Sequence, residues 1–122
     1  MKKFKLGIIG LGTVGSGVVE CLEKNGALFG SRYDFQYEVV QVAVRNLESK
    51  RLVEVDPSLM TTNPEDVVNN SEVDIVLELM GGEEPARTLV LQALNNGKAV
   101  VTANKALIAE HGPALFAAAE AN

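Results

Sequence analysis

Six residues near the amino terminus have the types and spacing to bind the pyrophosphate of a dinucleotide. The string Gly10-Leu11-Gly12-Thr13-Val14-Gly15 follows a short apolar run and opens a stretch with helical apolar spacing. Within a strand, turn and helix, Gly10 makes the turn, Gly12 admits the pyrophosphate and Gly15 allows close packing. The free N–H groups and the positive dipole end of the helix then face the phosphate charge. We predict a dinucleotide site, and the alternative is a glycine-rich turn without a ligand.

Two later segments place further polar and glycine residues directly after apolar runs. Gly81 follows Met80 at the end of the run 73–80, and Asn104 and Lys105 follow Thr102 at the end of the run 98–102. The carboxyl ends of parallel strands meet at one sheet edge, where ligands bind beside the first strand. We therefore predict that Met80, Gly81, Thr102, Asn104 and Lys105 contact the same cofactor as the glycine turn.

The end of the second apolar run bears on the choice between NADP and NAD. NAD sites usually place an acidic residue there, and a count of about 20 residues from the glycines reaches Asp34. Asp34, however, lies in the long connection before that run, which ends in Val44 and Arg45. A guanidinium suits a 2′-phosphate, so Arg45, with possible support from Lys50 and Arg51, favours NADP. NAD stays open, because Arg45 could simply be solvated and the following asparagine could serve a ribose.

The elements that must position these residues alternate between strands and helices. Apolar and β-branched runs predict five strands, at residues 4–9, 37–44, 59–61, 73–80 and 98–102. Helical spacing predicts a helix after the glycine turn, a short one after Pro64, a third from Pro85, and two pieces broken at Gly112 and Pro113. Such alternation predicts an α/β fold of the Rossmann type, a doubly wound parallel sheet in the order 3-2-1-4-5.

Two acidic features admit more than one interpretation. Glu83 and Glu84 resemble a general-acid pair, but their position just before Pro85 favours stabilisation of a helix amino terminus. Glu78 interrupts an apolar strand, and if it is buried it requires a partner that the sequence does not name.

Composition bounds the remaining possibilities. The 122 residues have the length of one domain and carry a net charge of −5, which argues against nucleic acid or an anionic membrane as partner. The basic residues are scattered apart from three lysines among the first five residues, which we interpret as a solvated strand edge. Cys21 is the single cysteine, so we expect no internal disulfide and no metal site. Because neither a signal peptide nor a membrane-spanning apolar run is evident, a cytoplasmic location is the default.

Taken in order and spacing, four strings resemble the nucleotide-binding part of homoserine dehydrogenases. They are the glycine turn, Val42-Ala43-Val44-Arg45, Glu78-Leu79-Met80-Gly81-Gly82 and Val100-Val101-Thr102-Ala103-Asn104-Lys105. The similarity extends from about Phe4 to the last residue. It implies NAD(P)-dependent hydride transfer between L-homoserine and L-aspartate 4-semialdehyde, a step towards threonine, methionine and isoleucine.

The resemblance also implies a role for Lys105 and a missing region. The matching lysine of the family reaches the nicotinamide side of the site, where an ammonium can stabilise charge developing on a carbonyl oxygen. Family members continue into a domain that binds the small-molecule substrate and a monovalent cation and that forms a homodimer or larger assembly. We therefore expect residues 1–122 to be the NAD(P)-binding domain alone, without homoserine turnover of its own.

Two other functions remain open from the sequence. A related dehydrogenase of an amino or oxo acid, such as an aspartate dehydrogenase, could share this domain, because the substrate is chosen elsewhere. A module that senses NAD(P) without chemistry needs neither Lys105 nor a second domain. A continuation of the reading frame by about 200 residues or more favours an enzyme.

Overall fold

The structure is a computed structural model that describes residues 2–11, 17–18, 20, 35–44, 57–80, 84–102 and 105–121. A five-stranded parallel sheet forms its centre, in the order β3-β2-β1-β4-β5. The predicted fold class and strand order are therefore confirmed. The strands are β1 (Lys2–Ile9), β2 (Phe35–Ala43), β3 (Met60–Thr61), β4 (Ile75–Glu78) and β5 (Ala99–Thr102).

In the described part of the chain after β2, a short 3-10 turn at Pro57–Leu59 is followed by three α-helices. They are α1 (Glu65–Val68), α2 (Ala86–Asn95) and α3 (Lys105–Ala121). Pro64 and Pro85 occupy the N-cap positions of α1 and α2, where a missing N–H is not needed for the helix. Of the helix predicted after the glycine turn, Gly17, Val18 and Glu20 are helical, and its other residues lie outside the described part.

The long carboxyl-terminal helix corrects one prediction. We expected a break at Gly112 and Pro113, but α3 continues through Pro113. A proline disfavours helical backbone in the residue before it partly through that residue's Cβ, and Gly112 has none. Leu107 and Leu115, on either side of Pro113, are buried in the same apolar cluster against α2. That packing holds both halves of the helix in line.

The first strand corrects a second expectation. β1 is the central strand, paired with β2 on one side and β4 on the other, so its lysines do not form a sheet edge. Lys3 is exposed and its ammonium lies 3.2 Å from a carboxylate oxygen of Glu38 on β2. The buried central segment of this strand begins only at Leu6.

Apolar side chains cover both faces of the sheet. On one face, Ile9, Ala43 and Val76 pack against valines of α1 and against Leu89 and Ala93 of α2. Because side chains alternate along a strand, Ile8 and Val42 point to the other face, where they pack with Leu11 and Val44. Burial on both faces explains why the strands read as continuous apolar runs.

Candidate functional site

The carboxyl end of β1 meets the carboxyl end of β4 at Gly10. Gly10 has a φ of +97°, and a Cβ atom there would lie 3.0 Å from both N and Cα of Met80. Its N–H donates to the carbonyl of Ala43 at 2.9 Å, and the N–H of Leu79 donates to the carbonyl of Ile9 at 2.9 Å. The positive φ and the close backbone together require glycine at this position. The first glycine of the motif therefore makes the tight turn that its position predicted.

One row of paired residues runs across the sheet at this edge. The strand registers place Thr61, Ala43, Ile9, Glu78 and Thr102 side by side. Each strand ends at this row, so the loops that could hold a ligand all leave from one line. This is the arrangement that a binding site at the reversal point of a doubly wound sheet requires.

Glu78 lies in this row with 0% of its surface exposed. The N–H of Met80 donates to its Oε1 at 3.1 Å, and the hydroxyl of Thr102 donates to its Oε2 at 2.6 Å. These bonds answer the question that the sequence left open, since a buried carboxylate requires such partners. Glu78 thus joins two of the residues that we predicted to contact the cofactor.

The structure separates the predicted contacts into three groups. Gly10, Met80 and Thr102 lie together around Glu78, as described above. Leu11 is buried in the apolar cluster under the sheet, so its side chain serves packing. Lys105 is the first residue of α3, three residues beyond Thr102 of the site. The remaining predicted positions lie outside the described residues: Gly12, Thr13, Val14, Gly15, Arg45, Gly81 and Asn104.

Glu84 has a structural role at the start of α2. Its two carboxylate oxygens accept hydrogen bonds from the N–H of Thr88 at 3.2 Å and from the Thr88 hydroxyl at 2.6 Å. Glu84 thus accepts from the first turn of α2, as expected for stabilisation of a helix amino terminus, although Pro85 is the N-cap residue. Glu83 lies outside the described residues. Within the described ranges, no group of three or more histidine, cysteine, aspartate or glutamate side chains is placed to hold a metal ion.

Sequence reasoning missed the connecting position of Glu78. The signal available in the sequence was a single carboxylate, Glu78, at the end of an apolar strand. In the structure this residue pairs with Thr102, the last residue of β5. Predicting the contact required the β4–β5 register, which apolar patterns alone do not fix. Among the described helices, none has both the length and the apolar character needed to cross a membrane.

The parallel sheet in the order 3-2-1-4-5, with a glycine turn at the reversal point, defines a Rossmann-type nucleotide-binding domain. The family model described as "Homoserine dehydrogenase, NAD binding domain" matches residues 10–122. The chain belongs to this family. Its cofactor class is accordingly a nicotinamide nucleotide.

Individual relatives agree with this assignment. Homoserine dehydrogenases of a Synechocystis strain and of Pseudomonas aeruginosa are each 48% identical to the chain, over 94% and 98% of its length. The chain spans only 26% and 27% of those two proteins.

Solved structures give the same picture. The homoserine dehydrogenase of Thiobacillus denitrificans is similar with a TM-score of 0.87 and 48% identity, over 99% of this chain and 28% of that one. The enzyme of S. aureus at pH 6.0 has a TM-score of 0.91 at 36% identity, over 99% of this chain and 31% of that one.

Proposed function

We propose that this chain is the nucleotide-binding domain of a homoserine dehydrogenase, which transfers hydride between a nicotinamide cofactor and L-homoserine or L-aspartate 4-semialdehyde. The observation that carries the proposal is the turn at Gly10, packed against Met80 where β1 and β4 end. This turn lies at the reversal point of the sheet, beside the first strand. In this fold the glycine string binds the pyrophosphate there. The whole enzyme would serve the synthesis of threonine, methionine and isoleucine, for which a cytoplasmic location is expected.

Within this function, we assign the cofactor preference to Arg45, in favour of NADP. Arg45 follows Val44, whose N–H donates to the carbonyl of Thr61 at 2.8 Å and so continues the pairing of β2 with β3. In the sequence, Arg45 is thus the next residue after the end of the second strand, and the adenosine ribose binds at that strand end in this fold. A fixed positive charge there favours the 2′-phosphate of NADP, although NAD can still bind.

A titration of the purified chain with NADPH and with NADH tests this preference. Loss of a charge-assisted hydrogen bond costs about 1.5 to 3 kcal/mol, so Arg45→Ala should weaken NADPH binding about ten- to hundredfold. NADH binding should change little. Lys3→Ala, at the opposite end of the sheet, is the control and should affect neither cofactor. Equal losses for NADPH and NADH in the Arg45 variant would contradict the assignment.

The catalytic role is proposed for Lys105. The backbone places this residue at the start of α3, just beyond the last residue of β5. An ammonium near the nicotinamide can contact the cofactor and stabilise negative charge on the carbonyl oxygen during hydride transfer. In the whole enzyme, Lys105→Ala should lower turnover while a direct binding assay finds NADPH affinity largely unchanged. A loss of affinity as large as the loss of turnover would assign Lys105 to binding alone.

The other groups needed for catalysis are proposed to lie outside these residues. Since the chain covers about a quarter of the length of its curated relatives, we infer that residues 1–122 form the NAD(P)-binding domain and that a further domain binds homoserine. That domain would also form the homodimer or larger assembly of the whole enzyme. The 122-residue chain should then bind nucleotide without oxidising homoserine. Measurable NADP-dependent oxidation of homoserine by this chain would overturn the division of roles.

A further inference from the structure

Glu78 is the one buried charged side chain in the described part of the molecule. Moving a carboxylate out of water is costly, and an apolar residue could fill the same space without that penalty. The next two positions of the row towards β2, Ile9 and Ala43, are indeed apolar and buried. Packing alone therefore does not explain a glutamate at the end of β4.

The two oxygen atoms of Glu78 hold the ends of two different strands. Oε1 accepts from the N–H of Met80, in the segment that leaves β4, and Oε2 accepts from the hydroxyl of Thr102, the last residue of β5. Met80 in turn lies against the backbone of Gly10. The carboxylate thus connects three positions at which we place the dinucleotide.

The bond from Thr102 also fixes what its hydroxyl can do. A hydroxyl has one hydrogen, and the hydrogen of Thr102 is donated to Oε2 of Glu78. The separation of 2.6 Å is typical of a strong bond to a charged acceptor. Towards a ligand, the Thr102 hydroxyl can therefore act only as an acceptor, which recognises an N–H or O–H donor.

We propose that Glu78 is a positioning residue of the nucleotide site, which orients the Thr102 hydroxyl as an acceptor and holds the Met80 peptide in place. The inference rests on the proposed function and specifies the chemistry of its site. The group that Thr102 recognises is a hydrogen-bond donor of the cofactor, either the nicotinamide amide or a ribose hydroxyl. Glu78 itself acts through Thr102 and Met80.

Binding titrations on four variants of the chain test the proposal. Glu78→Gln keeps the side-chain shape but removes the charge and one acceptor, and it should weaken NADPH binding about tenfold. Thr102→Val should weaken it to a similar extent, whereas Thr102→Ser, which retains the hydroxyl, should stay within about threefold of the original chain. Asp66→Asn is the matched control, because Asp66 also accepts a threonine hydroxyl at 2.6 Å but is exposed. It should leave NADPH affinity unchanged.

A double variant and a shortened ligand sharpen the result. If Glu78 acts through Thr102, then Glu78→Gln combined with Thr102→Val should lose less affinity than the product of the two single losses. The same titrations with 2′-phospho-ADP-ribose, which lacks nicotinamide, locate the donor. A defect seen only with NADPH assigns it to the nicotinamide half, and a defect with both ligands assigns it to the ADP-ribose half.

Thermal unfolding of each variant separates binding from stability. A folded Glu78→Gln chain that binds NADPH within about twofold of the original would overturn the proposal. So would independent, fully multiplicative losses in the double variant. If Glu78→Gln does not fold, Thr102→Val decides, and unchanged NADPH binding there overturns the proposal. Failure of the original chain to bind either cofactor would instead contradict the proposed function.

Discussion

Two threonine–carboxylate pairs lie at opposite ends of the carboxyl edge of the sheet, and they differ in burial. Thr61 ends β3 and donates its hydroxyl to exposed Asp66 at 2.6 Å, whereas Thr102 ends β5 and donates to fully buried Glu78 at 2.6 Å. Water can replace the first bond when it is lost, but it cannot easily reach the second. The buried hydrogen bond therefore holds the β4–β5 end of the edge more firmly than the exposed bond holds the β3 end.

The two pairs also differ in the distance along the chain that they bridge. Thr61 and Asp66 are five residues apart and belong to a local turn, in which the Thr61 hydroxyl also accepts from the N–H of Asn63 at 3.1 Å. Thr102 and Glu78 are 24 residues apart and meet only because β4 and β5 are neighbours. The local pair joins the end of β3 to the first turn of α1, whereas the distant pair ties together two strands at the candidate site.

The largest expected loss of stability follows from a substitution at Gly10, directly after the middle strand of the sheet. Gly10→Ala adds a Cβ atom 3.0 Å from the Met80 backbone at a φ of +97°, which should lower the free energy of unfolding by about 2 to 5 kcal/mol. It should also abolish detectable NADPH binding. Gly97→Ala is the control, since Gly97 has a φ of +79° but open space around it, and about 1 to 2 kcal/mol is expected. Chemical denaturation measures both, and equal losses would show that the contact with Met80 contributes nothing.

The two threonines provide the direct test of the comparison. Thr102→Val removes a donor from a buried carboxylate and should reduce the free energy of unfolding by about 1.5 to 3 kcal/mol. Thr61→Val removes the exposed counterpart and should reduce it by about 0.5 to 1 kcal/mol, because water takes over the bonds. Urea unfolding of both variants gives the difference. A larger loss at Thr61 would reverse the ranking of the two ends.

Lys98 and Lys3 also differ in burial, and we expect a smaller difference between their contributions to stability. The ammonium of Lys98 is partly buried and donates to the carbonyls of Asn70 at 2.7 Å and Val73 at 3.0 Å. Lys98→Met removes one donor from each carbonyl, of which that of Asn70 keeps the N–H of Val73 at 3.1 Å, and it should cost about 1 to 2 kcal/mol. Lys3→Met removes only the exposed pair with Glu38 and should cost about 0.5 kcal/mol or less. Thermal unfolding in low and high salt checks this, and a strong salt effect is expected for neither variant.

Much of the fold could be predicted because its strands are buried on both faces. Runs such as residues 37–44 are dense in β-branched residues, and alternation with helices limits the sheet to a few topologies. The helix through Pro113 could not be predicted, because the packing of Leu107 and Leu115 on either side outweighs the local preference of proline. Strand ends shifted by a residue or two, since hydrogen bonds such as that from Leu79 to Ile9 continue beyond β4.

Sequence alone could predict a position of the candidate site when its backbone geometry allows a single residue type. Gly10 is such a case, because its backbone conformation excludes other residues. The positions of Met80 and Thr102 at the same edge of the sheet could be predicted from the ends of the apolar runs, whereas their contact with a cofactor stays a prediction. Glu78 could be recognised as unusual, but its partners depend on the register of two strands that are distant in sequence.

The position of the cofactor is tested most directly by following backbone amide signals by NMR while NADPH is added to the isotope-labelled chain. If the cofactor binds at the carboxyl edge of the sheet, the largest shifts should occur at Gly10, Met80 and Thr102. Lys5 and Asp74, which meet at the amino end through a hydrogen bond of 2.9 Å, should keep their signals. Shifts confined to the amino end, or none at the carboxyl edge with NADPH bound, would show that the cofactor does not bind at the carboxyl edge.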